Sequence, residues 1–288
     1  MKLIKNLLLL SIIVTIISCS KSNTSTPNNI GAKVVLNVAY GTDSQQVMDI
    51  YLPAGRDNST KVLVLIHGGS WTGGDKNDFA QYIDTFQKRL PGYAIFNINY
   101  RLASTSLPFK NAFPTQEQDV QAAVNFVFNS EKTYVVSNNW CLLGFSAGGH
   151  LALLQSYKNN TLIKPKVVVD LFGPTDMADL YNFYSNNFLT QYGFSYLLSG
   201  TPGTNVSLYN SSSPINFVTS TSPPTLIFHG GQDSTVPFRE SVNLHNKLTS
   251  LGVINKYVFY PNQPHGFSGT DELDSHEQMV SFIKTYMP

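Results

Sequence analysis

Two rhythms of apolar positions divide the chain. Lys61–Ile66, Ala94–Ile98 and Trp140–Leu143 are near-continuous apolar runs of strand length, the pattern of parallel strands buried on both faces. Lys166–Phe172, Thr225–Phe228 and Lys256–Tyr260 read as further strands. Lys33–Tyr40 and Gln46–Leu52 alternate instead, with a turn around Gly41-Thr42-Asp43, and predict an antiparallel hairpin at a sheet edge. Helical segments lie between the runs. Asp78–Leu90 is stopped by Pro91-Gly92, and Ala147–Leu154 is helix-compatible. Val120, Ala123, Val124 and Val127 form one apolar stripe. Ahead of them Thr115 and Gln118 have capping-box spacing, with Glu117 and Asp119 in the turn where the helix dipole favours acids. Pro237–Leu251 places Leu244, Leu248 and Leu251 on one side and ends at Gly252, and Asp274–Met287 closes the chain.

Strands alternating with helices imply an α/β fold: an eight-stranded, mainly parallel sheet with helices on both faces. Thr175–Pro223 breaks the alternation, being far longer than one connecting helix. It predicts an insertion (175–223) after the sixth strand, with short helices near Ala178–Phe188, roofing the turn that follows the fifth strand.

Composition narrows the class. At 288 residues and 42% hydrophobic the chain can build one α/β domain with a sizeable core. A net charge of +1 gives no basis for nucleic-acid binding. The first residues read as a targeting segment: Lys2 and Lys5 precede an apolar stretch, Leu7–Ile17, that is short for a membrane span. Ile16-Ile17-Ser18-Cys19 resembles the lipobox of bacterial lipoproteins. That resemblance implies a signal peptide over 1–18, a lipid on Cys19, membrane attachment at the cell envelope, and a flexible tether over 19–32 ahead of a domain at 33–288. A plain secretory signal is the alternative. Cys141, on the fifth strand, reads as a small buried hydrophobe.

Candidate chemistry centres on Gly144-Phe145-Ser146-Ala147-Gly148, a G-x-S-x-G pentapeptide between a strand and a helix. Such a turn strains the serine backbone and projects Oγ above the sheet. The hydroxyl needs a base, the base needs an orienting acid, and the oxyanion needs N–H donors. All are sought at the C-terminal ends of strands, where open α/β sheets place ligands. Among six histidines, His265 follows the last strand in a loop shaped by Pro261, Pro264 and Gly266, and is the favoured base. His67 reads as a brace for its loop, His150 and His229 as structural groups, His245 and His276 as helix-surface residues. Asp233, after the seventh strand, is the favoured acid. It could instead cap the next helix, in which case Asp176 is the substitute. Gly68, Gly69 and Ala147 are the candidate oxyanion donors, the first two in His67-Gly68-Gly69-Ser70-Trp71. Trp71 and Phe145 are the candidate substrate contacts.

With these residues in view the chain resembles the α/β-hydrolase superfamily, and within it the carboxylesterases related to hormone-sensitive lipase and the bifunctional acetylxylan/feruloyl esterases. The resemblance runs from about Val34 to the C-terminus. It is carried by residues 67–75, Asn99-Tyr100-Arg101-Leu102, Phe113-Pro114 with Gln118-Asp119, residues 144–150, the Asp233 loop and His265-Gly266-Phe267. It implies the α/β-hydrolase fold and hydrolysis of a small-molecule or saccharide ester through an acyl-enzyme on Ser146, His265 and Asp233. It implies no metal, no cofactor and no protein partner. Ser70 departs from it, since many relatives carry a third glycine there. The insertion departs too: Tyr181, Phe183, Tyr184, Phe188, Tyr192, Phe194 and Tyr196 suit sugar or feruloyl rings, or form the insertion's own small core. An amide-bond hydrolase (a formamidase or a dipeptidyl-peptidase-like enzyme) is the alternative chemistry. A catalytically silent binding protein is a third reading, and it predicts a missing catalytic residue that is not missing.

Overall fold

The structure is a computed structural model that describes residues 30–104, 106–159 and 162–288. The expected signal peptide, Cys19 and the tether up to residue 29 lie outside the described residues. The eight expected strands all form: β1 Lys33–Ala39, β2 Val47–Leu52, β3 Lys61–Ile66, β4 Tyr93–Ile98, β5 Trp140–Phe145, β6 Val167–Leu171, β7 Thr225–Gly230 and β8 Asn255–Tyr260. They make one sheet in the order β1-β2-β4-β3-β5-β6-β7-β8. The pairs β1–β2 and β2–β4 are antiparallel and the others parallel. Two reversals cancel, so β1 runs in the same sense as the parallel strands. It therefore begins at the end of the sheet where they begin, on the edge farthest from β8.

Strand parity divides the core. Val62, Val64 and Ile66 of β3, and Trp140 and Leu142 of β5, belong to one buried cluster. Leu63, Leu65, Cys141 and Leu143 belong to another on the opposite face. Successive side chains of a strand point to opposite faces, so both must be apolar when both faces carry helices. The helices are α1 Ala80–Arg89, α2 Thr115–Asn129, α3 Glu131–Tyr134, α4 Ala147–Tyr157, α5 Met177–Phe183, α6 Phe188–Leu197, α7 Val206–Ser211, α8 Arg239–Ser250 and α9 Gly269–Tyr286. α2, α4 and α8 cover the first face, through Val120, Leu151 and Leu244 among others. α1 and α9 cover the second, through Phe86 and Ile283.

Three local expectations are corrected. Thr115 does not cap α2: it is the first helical residue, Pro114 holds the cap position, and no side chain accepts there. Asp119 does not serve the helix dipole. It is 1% exposed and takes the Arg101 guanidinium at 2.6 Å and Gln46 Nε2 at 2.7 Å, pinning the start of the segment after β4 to this helix. The final helix begins at Gly269, five residues before the expected Asp274, with Asp271 and Glu272 in its first turn.

The insertion is more helical than its sequence suggested, and polar side chains start two of its helices. Asp176 accepts from Ala178 N and Asp179 N to begin α5, and Asn187 accepts from Thr190 N to begin α6. Glu240 on α8 fastens the insertion's entry, its Oε2 accepting from Thr175 N at 2.9 Å and Asp176 N at 2.8 Å. Burial pushes this carboxyl up to about 8.

Candidate active site

Ser146 sits at φ 52°, ψ −120°, between β5 and α4. A non-glycine residue held there costs on the order of 1–3 kcal/mol, and the surroundings enforce it. Ser146 N donates to Leu171 O at 2.8 Å, while Ser146 O accepts from His150 N at 3.0 Å to start α4. The turn is tight enough to exclude side chains on both sides. A Cβ on Gly144 would lie 2.1 Å from Gly148 O, and one on Gly148 would lie 2.0 Å from Ile66 O. Both obstacles are main chain and cannot rotate away. Gly148→Ala is therefore expected to destabilise the fold by about 3 kcal/mol, roughly 6–12 °C in Tm. Thermal denaturation followed by circular dichroism checks this, and an unchanged Tm would mean that β3 and α4 can separate without cost.

The structure brings Ser146, His265 and Asp233 together from three distant segments. His265 Nε2 lies 2.9 Å from Ser146 Oγ, and His265 Nδ1 lies 2.7 Å from Asp233 Oδ2. An ionised carboxylate can only accept, so Nδ1 carries the proton and Nε2 is free to accept the serine's. Asp233 Oδ1 is used separately, accepting from Thr235 N at 2.8 Å and Val236 N at 2.9 Å. Loop shaping and imidazole orientation thus fall to different oxygens of one carboxylate. Burial pushes this carboxyl up, but hydrogen bonds from His229 and His265, the charge of His265 and the Val236 N–H together hold it well below the usual carboxylate range. Phe172 packs against the His265 ring in a T-shaped arrangement with the ring centres 4.7 Å apart. Asp176 is not near this group in any hydrogen bond; its carboxylate is occupied at the start of α5.

Gly68 lies directly beside the serine, since a Cβ there would be 3.2 Å from Ser146 Cβ and 2.9 Å from Phe145 O. Gly69 has φ +104° and turns the chain so that its carbonyl accepts from Thr72 N and Gly73 N. Ser70 and Trp71 follow at φ 53° and 61°. Ser70 thus takes a left-handed conformation that glycine would adopt without strain. Ala147 opens α4, so its N–H and the positive end of that helix lie at the serine. Losing one oxyanion donor typically costs roughly 3 kcal/mol of transition-state stabilisation.

The brace for this loop is chiefly Tyr100, which sequence reasoning did not single out. Its hydroxyl donates to His67 O at 3.0 Å, and its ring stacks on the His67 ring at 4.2 Å. The sequence offered it only as part of Asn99-Tyr100-Arg101-Leu102, two residues after a buried strand and with no task attached. His150 is fully buried between Trp71 Nε1, 3.2 Å from Nδ1, and Ser212 O, 2.7 Å from Nε2. Burial brings its basicity down to about 4.

A cavity of about 400 Å³ opens beside Ser146. Trp71 lines it, together with Tyr184, Tyr192, Phe194 and Tyr196 of the insertion. Tyr196 stacks on Phe109 at 3.7 Å, and its hydroxyl meets that of Tyr192 at 2.8 Å. The aromatic insertion thus divides between its two expected roles, because Tyr181 packs inward on Tyr209. Phe145, the other expected contact, is half-buried: it stacks on Phe79 at 4.4 Å against the core beneath α1 and α9, and it is not among the residues that line the cavity.

A family model described as BD-FAE matches residues 48–248. A truncated form of carbohydrate esterase from gut microbiota is 26% identical with a TM-score of 0.73, over 90% of this chain and 98% of that one. A bifunctional GH43-CE protein of Bacteroides eggerthii is 25% identical with a TM-score of 0.78, over 88% of this chain and 35% of that one. Esterase LipC of Mycobacterium tuberculosis is 25% identical over 81% of this chain. The chain spans only 60% of that relative's length.

Proposed function

Because this chain belongs to the BD-FAE family of α/β-hydrolases, we propose that it is a serine carboxylesterase acting on short acyl esters of saccharides, acetyl or feruloyl. The observation that carries the reading is the hydrogen-bonded series Ser146–His265–Asp233 at the mouth of an aromatic cavity. Ser146 Oγ attacks the ester carbonyl as His265 Nε2 takes its proton. The N–H groups of Gly68, Gly69 and Ala147 receive the oxyanion. The imidazolium returns the proton to the leaving alcohol, and an acyl-serine remains. Water, deprotonated by the same nitrogen, then releases the acid. Aromatic faces at the cavity suit sugar and feruloyl rings, and the likeness to a carbohydrate esterase agrees. Attachment to the cell envelope through a lipid on Cys19 completes the proposal.

Hydrolysis of p-nitrophenyl acetate, butyrate and octanoate, alongside acetylated and feruloylated oligosaccharides, tests the substrate class. The saccharide esters and the acetate are expected to lead. If a long acyl groove existed, each added CH₂ would contribute up to about 0.8 kcal/mol. A kcat/KM climbing steadily to octanoate would then replace this reading with a lipase.

A further inference from the structure

We propose that His229 is a positioning residue for this reaction: it holds the Asp233 carboxylate from behind and withdraws part of its charge, setting how strongly His265 is oriented and stabilised. The inference rests on the esterase reading above and assigns a task to a histidine which that chemistry does not otherwise use.

His229 is the penultimate residue of β7 and is completely buried. Its Nε2 lies 2.9 Å from Val236 O and 3.1 Å from Asp233 Oδ2, the oxygen that also receives His265 Nδ1. Both neighbours of Nε2 only accept, so that nitrogen carries a proton; it donates to Val236 O and presents the same positive edge to Asp233 Oδ2. Its Nδ1 is fixed by Ser241 Oγ at 2.7 Å, on the first turns of α8. One carboxylate oxygen therefore lies between two imidazole N–H groups, one mobile in the mechanism and one immobile in the core. His265 is 22% exposed as a side chain, His229 not at all. The immobile donor fixes where Oδ2 stands, and hence the plane and tautomer of the His265 ring.

A second consequence concerns charge. A hydrogen bond to an ionised oxygen favours that ion and weakens its pull on a neighbouring cation. The other titratable side chain turned toward Asp233 is Tyr184, whose hydroxyl donates to Thr235 O at 2.6 Å. Glu240, beside Ser241 on α8, is occupied by Thr175 and Asp176. With the His229 proton removed, Asp233 would bear more charge toward His265 and stabilise its imidazolium more strongly. Because the attacking step needs neutral His265, the acidic limb of kcat/KM would move to higher pH.

The test compares His229→Leu, which removes the donor, with His229→Gln, which keeps an N–H near the same place. His229→Leu is expected to lower kcat roughly 10- to 100-fold, with KM within about twofold and the acidic limb raised by about half a pH unit or more. His229→Gln should recover most of both effects. A folded His229→Leu with wild-type kcat and an unmoved limb overturns the proposal, as does equal loss in both variants with no change of limb. If His229→Leu does not fold, histidine-¹⁵N spectra of the wild-type protein decide. The Nε2–H resonance of His229 should move as His265 titrates, because they share one oxygen, and a resonance indifferent to that titration overturns the proposal. Labelling of Ser146 by a fluorophosphonate probe separates the two readings. Absence of label sinks the esterase assignment, while the coupling between the two imidazoles is still read by the spectra.

Discussion

Ser146→Ala is expected to lower kcat for p-nitrophenyl acetate by a factor on the order of 10⁴ to 10⁶, with KM little changed and Tm within about 2 °C of wild type. The substitution removes one oxygen, whose bonding partner is His265 Nε2 at 2.9 Å. It leaves the turn intact, since Ser146 N and O keep Leu171 and His150. Alanine meets the same backbone demand at φ 52° as serine does, so the fold gains and loses little. Activity and stability are therefore predicted to separate completely at this residue, whereas at Gly148 the primary loss is of stability. Turnover within tenfold of wild type, measured on protein free of contaminating esterase, would remove Ser146 from the reaction.

Asp233→Asn is expected to cost about 10⁴ in kcat, at the lower end of the loss expected for Ser146→Ala, although size and shape are conserved. With the amide oxygen retained toward Thr235 N and Val236 N, the amide nitrogen faces His265 Nδ1. Nδ1 must then accept, the ring proton moves to Nε2, and the nitrogen facing Ser146 can no longer take a proton. The same substitution changes the response of stability to pH. The folded-state affinity of Asp233 for protons lies below its unfolded value. Its contribution to stability is thus present above the unfolded value, near pH 4, and is lost as pH falls through the depressed one. An amide at this position does not titrate, so Tm of the variant should fall less than that of wild type on acidification below about pH 4. Parallel Tm curves for the two proteins would contradict the assignment of a strongly held carboxylate.

Much of this site was legible in the sequence because it lies where the chain is most regular. Buried parallel strands read as apolar runs, and their C-terminal ends mark the place of Ser146, Asp233 and His265. The place of Phe145 outside the cavity lining was legible too. Trp140 and Leu142 share one face of β5, Cys141 and Leu143 the other. Counting by two puts Phe145 with the latter, away from the cavity. Other features had no such periodic signal. Whether Thr115 stands at the cap or one residue inside it depends on the path of the chain from Phe113. That Tyr100 braces the loop depends on β4 lying beside β3 in the sheet, which local pattern does not encode. Two helices of the insertion, α5 and α6, depend on Asp176 and Asn187 serving as caps, a role that polar residues in a loop of this length do not declare in advance. The task proposed for His229 has no local sign, since it needs two loops, each following a different strand, to meet.

The placement of β1 bears on how the molecule can be held. Its first residue lies four strand spacings from β5, about 19 Å, and at the opposite end of the strands from the serine. A surface gripping the polypeptide ahead of Ile30 would hold it by a corner remote from the cavity mouth. The opening would then face away from that support.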